Sequence, residues 1–376
     1  MNITACFVTR NHESSLDASL ASVRAFKAQL IVVDTGSTDR TIAVAYQHGA
    51  TVVEFPWNDD FSAAQNAALD LATGDWVLWL NPDEEVDPQT IPLIERATKK
   101  AEVFAYDLRI VHEYDVKRPG FGPVDWQPRL FRRDPDVRYH RRLHPTFATP
   151  LSAIASKRGQ CLDKVNGSIF RHGYLSVPTA EKMQWVVKLL EAELRDRPEQ
   201  LDLTIELGRN YLRLNDPRGH DVLAMADQPV RALATHGDAP PAVGMFLEYL
   251  LTVSPEQRRS QISREEATSL ADRWFARTPP VLWALSCERY AAQDYAKCAE
   301  RLNQLLALGR SGDYDASATF STDILGPSAI LNLGLCHFQM KNWTEAKDCF
   351  EILRTDPTRS QRAARLYAQA TRNASS

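Results

Sequence analysis

The chain reads as an α/β domain with a mostly parallel, Rossmann-like sheet, followed by an all-α domain built of helical repeats. Three observations predict this. Strand-type and helix-type hydrophobic patterns alternate through the first third. From about Pro178 the strand signals vanish and the apolar period becomes that of a helix. A length of 376 residues with 44% hydrophobic content suits two packed domains, taken here as 1–177 and 178–376.

The elements follow in order. Ile3–Thr9 is a strand; Leu16–Ala25 is a helix with Ser14 or Ser15 as its cap; Leu30–Val33 is a strand. Thr38–His48 is a helix closed by Gly49, Val52–Phe55 a strand, Ser62–Thr73 a helix closed by Gly74, and Trp76–Leu80 a strand. This alternation implies parallel strands joined by right-handed crossovers. Each strand runs into polar residues: Thr9-Arg10-Asn11, Asp34-Thr35-Gly36-Ser37, Trp57-Asn58-Asp59-Asp60 and Asn81-Pro82-Asp83-Glu84. Four such clusters at one sheet edge predict a ligand site, because open α/β sheets bind ligands beyond the carboxyl ends of their strands.

Composition narrows the class. With 44 basic against 48 acidic residues and a net charge of -4, the chain is not a general nucleic-acid binder. The six cysteines form no CxxC pair, which argues against a zinc site or a disulfide framework. No stretch approaches a membrane span, and Ile3–Val8 lacks the features of a secretory leader. The expectation is a cytoplasmic protein with no integral membrane segment.

Leu30–Thr41, LIVVDTGSTDRT, carries the sharpest signal, since a buried strand there delivers Asp34 to a Gly36 turn at the sheet edge. With FVTRNHE, WNDDFSAAQNAAL, ATGDWVLWLNPDEEV, QPRLFRR, RLHPTF and FRHGY in the same order, the first 175 or so residues resemble glycosyltransferase family 2, GT-A fold. Within it, the resemblance is to a bacterial branch with tetratricopeptide-type repeats after the catalytic domain.

The resemblance implies a UDP-sugar donor. Asp34 would bond the uracil, in a pocket shared with Thr9, Arg10, Asn11 and Glu13 and with Gly36, Ser37 and Asp39 of the turn; Asp60 and Asn66 would flank the ribose and base. At the D-x-D position, Asn81 would contact ribose while Asp83, with His172, would hold a divalent cation, Mn or Mg. An inverting transfer needs a base for the acceptor's proton. Asp125 and His144 are the candidates, with Glu113 behind them. Arg129, Arg132, Arg141 or Arg142, in the basic run from Pro128 to His144, would clamp the diphosphate from a flexible loop, the rest lying on the surface.

Three positions depart from the family's pattern. Asn81 replaces the first Asp of D-x-D, Gln65 stands where Arg is common, and Pro145 follows His144 where Glu is usual. A neutral hydrogen-bond acceptor gives about 0.5–1.5 kcal/mol where a charged one gives about 1.5–3, so Asn81 would weaken nucleotide binding roughly tenfold.

In the second half, Met183–Leu194 is amphipathic and Leu203–Leu214 holds Leu207-Gly208-x-x-Tyr211, a repeat-type small-residue contact. Ile330–Pro357 is the clearest repeat, and Leu282–Leu305 fits the same frame, with an inserted loop between them. Such repeats imply a concave surface for a peptide, protein or glycan acceptor, a homodimer contact, or a purely architectural role. The leading reading is a metal-assisted hexosyltransferase. Its rivals are a degenerate relative acting as a nucleotide-binding or repeat-mediated scaffold and, well behind, a nucleotidyltransferase.

Overall fold

The computed structural model describes residues 2–112, 124–172, 179–235, 237–315, 320–356 and 358–374. Its chain divides into two compact units, Met1–Pro198 and Glu199–Ser376.

In the first unit, β1 (Ile3–Thr9), α1 (Leu16–Ser22), β2 (Gln29–Asp34), α2 (Thr41–Gln47), β3 (Thr51–Glu54), α3 (Phe61–Leu71) and β4 (Trp76–Trp79) follow the expected alternation. After them come β5 (Glu84–Val86), α4 (Ile91–Ala97), β6 (Val103–His112), β7 (Val124–Arg132), β8 (Tyr139–His140), β9 (Thr146–Phe147), α5 (Leu151–Lys157), β10 (Cys161–Arg171) and α6 (Ala180–Asp196). Eight strands form one sheet in the order β3-β2-β1-β4-β7-β6-β10-β5, in which β3, β2, β1 and β4 are mutually parallel.

The uninterrupted apolar runs are explained by burial of both sheet faces. Phe7, Val32 and Leu78 point into a core with Leu16 and Leu20 of α1, while Cys6, Ile31, Val33, Val77 and Trp79 point into a second core with Ala64 and Ala68 of α3. Gly74 does not close α3 in a left-handed conformation. A Cβ there would lie 2.7 Å from the Thr4 amide, so glycine is needed for the chain to pass beside β1.

Helix α6 corrects the expected boundary. Its 3.6-residue period places it in the helical half of the sequence, yet it belongs to the first unit. Trp185 packs edge-on against Phe61 with ring centroids 5.8 Å apart, Lys188 bonds Asp59 at 2.7 Å, and the buried Glu193 accepts the Arg142 amide at 2.8 Å. Periodicity identifies a helix but not the surface that its apolar stripe covers.

The second unit is all helical: α7 (Leu201–Arg213), α8 (Arg218–Ala224), α9 (Asp227–Leu233), α10 (Pro241–Thr252), α11 (Arg264–Trp274), α12 (Pro279–Ala291), α13 (Tyr295–Ser311), α14 (Pro327–Gln339), α15 (Trp343–Ile352) and α16 (Ser360–Ala374). The predicted small-residue contacts are present: Gly208 meets Leu223 of α8, and Gly334 meets Cys349 and Phe350 of α15. The expected inserted loop contains a 3-10 turn at Thr322–Leu325; Pro357, Gly173 and Tyr174 lie outside the described residues. Among the described residues, no helix is long and apolar enough to cross a membrane.

Candidate active site

The end of β2 is built from its own turn. Asp34 is buried, and its Oδ1 accepts the Gly36 and Ser37 amides at 2.9 and 2.8 Å while Oδ2 accepts the Ser37 hydroxyl. Gly36 has φ +102°, which a Cβ would disfavour. The loop after β1 is zipped to this turn. The Asn11 amide donates to Ser37 Oγ at 2.8 Å, Asn11 Oδ1 accepts the Thr38 amide at 2.8 Å, and Glu13 accepts the Arg40 amide at 2.9 Å.

Asp39 accepts the Thr41 amide at 2.9 Å ahead of α2, which starts at Thr41, three residues later than expected, with Arg40 at its N-cap and no side-chain cap bond. Asp34, Asn11, Glu13, Ser37 and Asp39 thus share one rigid edge, held by their own bonds. Two groups beside them are less committed. Among the described residues, the buried Thr9 hydroxyl has no hydrogen-bond partner, and the exposed Arg10 has no ion pair.

At the end of β3, two expected ribose contacts are scaffold. Asp60 caps α3, accepting the Ala63 amide at 3.1 Å. Asn66 exchanges both amide bonds with the Tyr139 backbone, each at 2.9 Å, so its side chain is used in pinning β8 to α3. His144 sits exposed at φ +49° on the loop after β8, where Arg142 O accepts the Phe61 amide at 3.0 Å and Arg141 O accepts the Ser62 hydroxyl at 2.6 Å. Glu113 lies outside the described residues.

The end of β4 is organised by a residue that sequence reasoning passed over, Glu84. Wholly buried, it accepts the Asn81 amide at 2.9 Å, Asn81 Nδ2 at 2.8 Å and Arg129 Nη2 at 2.7 Å. Arg129 is therefore not a clamp on a flexible loop; it lies in β7, 5% exposed and paired with Glu84. Breaking a buried pair by removing one partner leaves an uncompensated charge, at a cost of about 3–5 kcal/mol.

Two strands away, His112 Nε2 bonds Asp125 at 2.9 Å and Gln127 Nε2 donates to the same carboxylate at 2.5 Å. Burial pushes the Asp125 carboxyl up, but hydrogen bonds from His112 and Gln127 and the charge of Arg129 outweigh it and hold the group below its ordinary value. His112 was missed, although it continues the Leu108–Ile110 alternation of β6 and so was findable. His12, on the loop after β1, bonds the Ser15 hydroxyl at 3.1 Å. Burial lowers its pKa, and it lies within electrostatic reach of Asp83, Asp39, Lys182 and Arg171.

The expected cation ligands do not converge. Arg171 and His172 are successive residues, and their side chains diverge: Arg171 Nε lies 3.3 Å from Asp83 Oδ2, whereas His172 Nε2 lies 3.2 Å from Glu85. Asp83 and Glu84 are matched by Arg171 and Arg129. Among the described residues, no group of three or more His, Cys, Asp or Glu is arranged to hold a metal. The described residues at this strand end do not fit a divalent ion.

Strand order reverses direction between β1 and β4, and the polar residues gather at that switch point, which marks the first unit as a GT-A-type α/β domain. Residues 4–148 match the profile of Glycosyl transferase family 2. It is 32% identical to a TPR repeat-containing protein of Synechococcus elongatus over 67% of this chain and 61% of that one. It is 31% identical to an uncharacterized glycosyltransferase of Rickettsia felis over 35% of this chain and 48% of that one. The chain thus spans less than two thirds of these relatives' lengths. Among solved structures, a glucosyl-3-phosphoglycerate synthase from Mycobacterium tuberculosis matches with TM-score 0.34 and 19% identity, over 50% of this chain and 78% of that one.

Proposed function

We propose that the chain is an inverting glycosyltransferase that moves a hexose from a UDP-sugar to a peptide, protein or glycan acceptor in the cytoplasm, the helical unit presenting the acceptor or pairing two copies. The observation that carries this reading is the gathering of three polar groups at one sheet edge of a family 2 domain: the Thr9–Asp34 strand ends, Asn81 with Glu84, and Asp125 with His112. Thr9 and Asp34 are paired across β1 and β2, and the exposed Arg10 follows directly, so a nucleotide lying along that edge has a cation beside it.

Asp125 serves as the base. Its depressed pKa keeps it ionised near neutral pH, and His112 and Gln127 fix its orientation. It takes the acceptor's proton as the acceptor atom bonds to the anomeric carbon; the bond to the diphosphate breaks, and its electron pair leaves with UDP. His144 lies on a different loop and is the lesser candidate.

A panel of UDP-, GDP- and dTDP-sugars, scored by nucleotide release, tests the proposal. Release from one UDP-sugar, reduced at least about a hundredfold in Asp125→Asn, is expected, as befits loss of a general base. Absence of both turnover and UDP binding would favour the rival reading of a degenerate scaffold, which the neutral Asn81 supports.

A further inference from the structure

We propose that Arg171 takes the place of the expected divalent cation, so that nucleotide binding needs no metal and a guanidinium meets the charge of the diphosphate. The inference rests on the UDP-sugar reading above. It starts from the misfit at the end of β4, where two carboxylates, Asp83 and Glu84, face two guanidiniums, Arg171 and Arg129.

The two arginines are not equivalent. Arg129 is buried and its Nη2 lies 2.7 Å from Glu84, which makes it part of the scaffold. Arg171 Nε lies 3.3 Å from Asp83 and 4.0 Å from Glu84, and its side chain, unlike that of Arg129, is 27% exposed. A guanidinium carries five N–H donors in a planar fork, a geometry that matches phosphate oxygens.

Position agrees with this role. In the β10–β6 register Arg171 pairs with His112, whose ring holds the proposed base, Asp125. His12, on the loop after β1, has both Arg171 and Asp83 among the charges that act on its ring. Arg171 thus lies on the strand beside the one whose His112 holds the proposed base, and a guanidinium there can meet the charge that grows on the departing diphosphate.

Asn81 fits the same design. It donates from Nδ2 to Glu84 at 2.8 Å, a bond that an ionised Asp could not make, and an Asp here would set two anions against each other. A neutral residue at 81 and a cation at 171 are then two halves of one charge balance.

Isothermal titration calorimetry of the full chain with UDP, in excess EDTA and again in excess MnCl2, tests the proposal. The wild-type affinities are expected to agree within about twofold. In EDTA, Arg171→Ala is expected to bind UDP about tenfold or more weakly, and Arg171→Lys to recover part of that loss, with thermal melts confirming that each variant folds. A wild-type affinity that rises about tenfold or more with Mn2+ would overturn the inference while leaving the UDP-sugar reading standing. So would unchanged affinity in folded Arg171→Ala. A folded wild type that binds UDP in neither condition would sink both.

Discussion

The ends of β2 and β4 solve one problem in two ways. Each must hold a buried carboxylate at the carboxyl edge of a sheet. At β2, Asp34 is satisfied by amides and a hydroxyl two and three residues away. At β4, Glu84 is satisfied partly by Asn81 but chiefly by a guanidinium 45 residues further on. The local solution makes a rigid edge that needs no other strand. The distant one binds β7 to the candidate site, so this edge is complete only once the mixed half of the sheet has assembled.

The sharpest way to break this contrast is to remove one partner at each end. Glu84→Ala or Arg129→Ala is expected to cost about 3–5 kcal/mol in denaturant unfolding, because a buried charge is left alone. Replacing both together is expected to cost less than the two single losses added, and strict additivity would show that the pair is not coupled. Asp34→Ala is expected to cost about 1–3 kcal/mol, since neutral donors rather than a charge lose their acceptor. An equal loss at both ends would erase the distinction.

A smaller effect sharpens the comparison further along the edge. Asp125 has a carboxyl held below its ordinary value, so activity that needs its anion is present above that ordinary value and is lost only as pH falls through the lower folded one. His112→Ala removes one of the causes, so the acid limb of the kcat/KM profile is expected to move to higher pH. A profile that does not move would mean that His112 does not tune the group.

The same contrast explains what could be read from the sequence. The four parallel strands and the turn at Asp34 were legible because apolar runs and a Gly two residues after an Asp act over short range. The roles of Arg129, Asn66 and His172 were not. Arg129 lay in a basic run that suggested an exposed loop, but β7 carries it inward to Glu84. Asn66 occupied a motif position but serves the Tyr139 backbone, which is 73 residues away. His172 and Arg171 are neighbours, and only the pairing of β10 with β5 decides which of them faces Asp83. Asp125 was singled out by residue type alone; the His112 partner that supports it comes from the adjoining strand.

Helix α6 has a practical corollary for anyone dividing this protein. A fragment stopped at residue 177 would bare Trp57 and Phe61, leave Asp59 without Lys188, and strip the Arg142 loop of its Glu193 acceptor. Stopping instead after Pro198 retains all of these contacts. The shorter fragment should be recovered as aggregate and the longer one as a soluble monodisperse species, so that 21 residues of helix and linker separate a tractable α/β unit from an insoluble one.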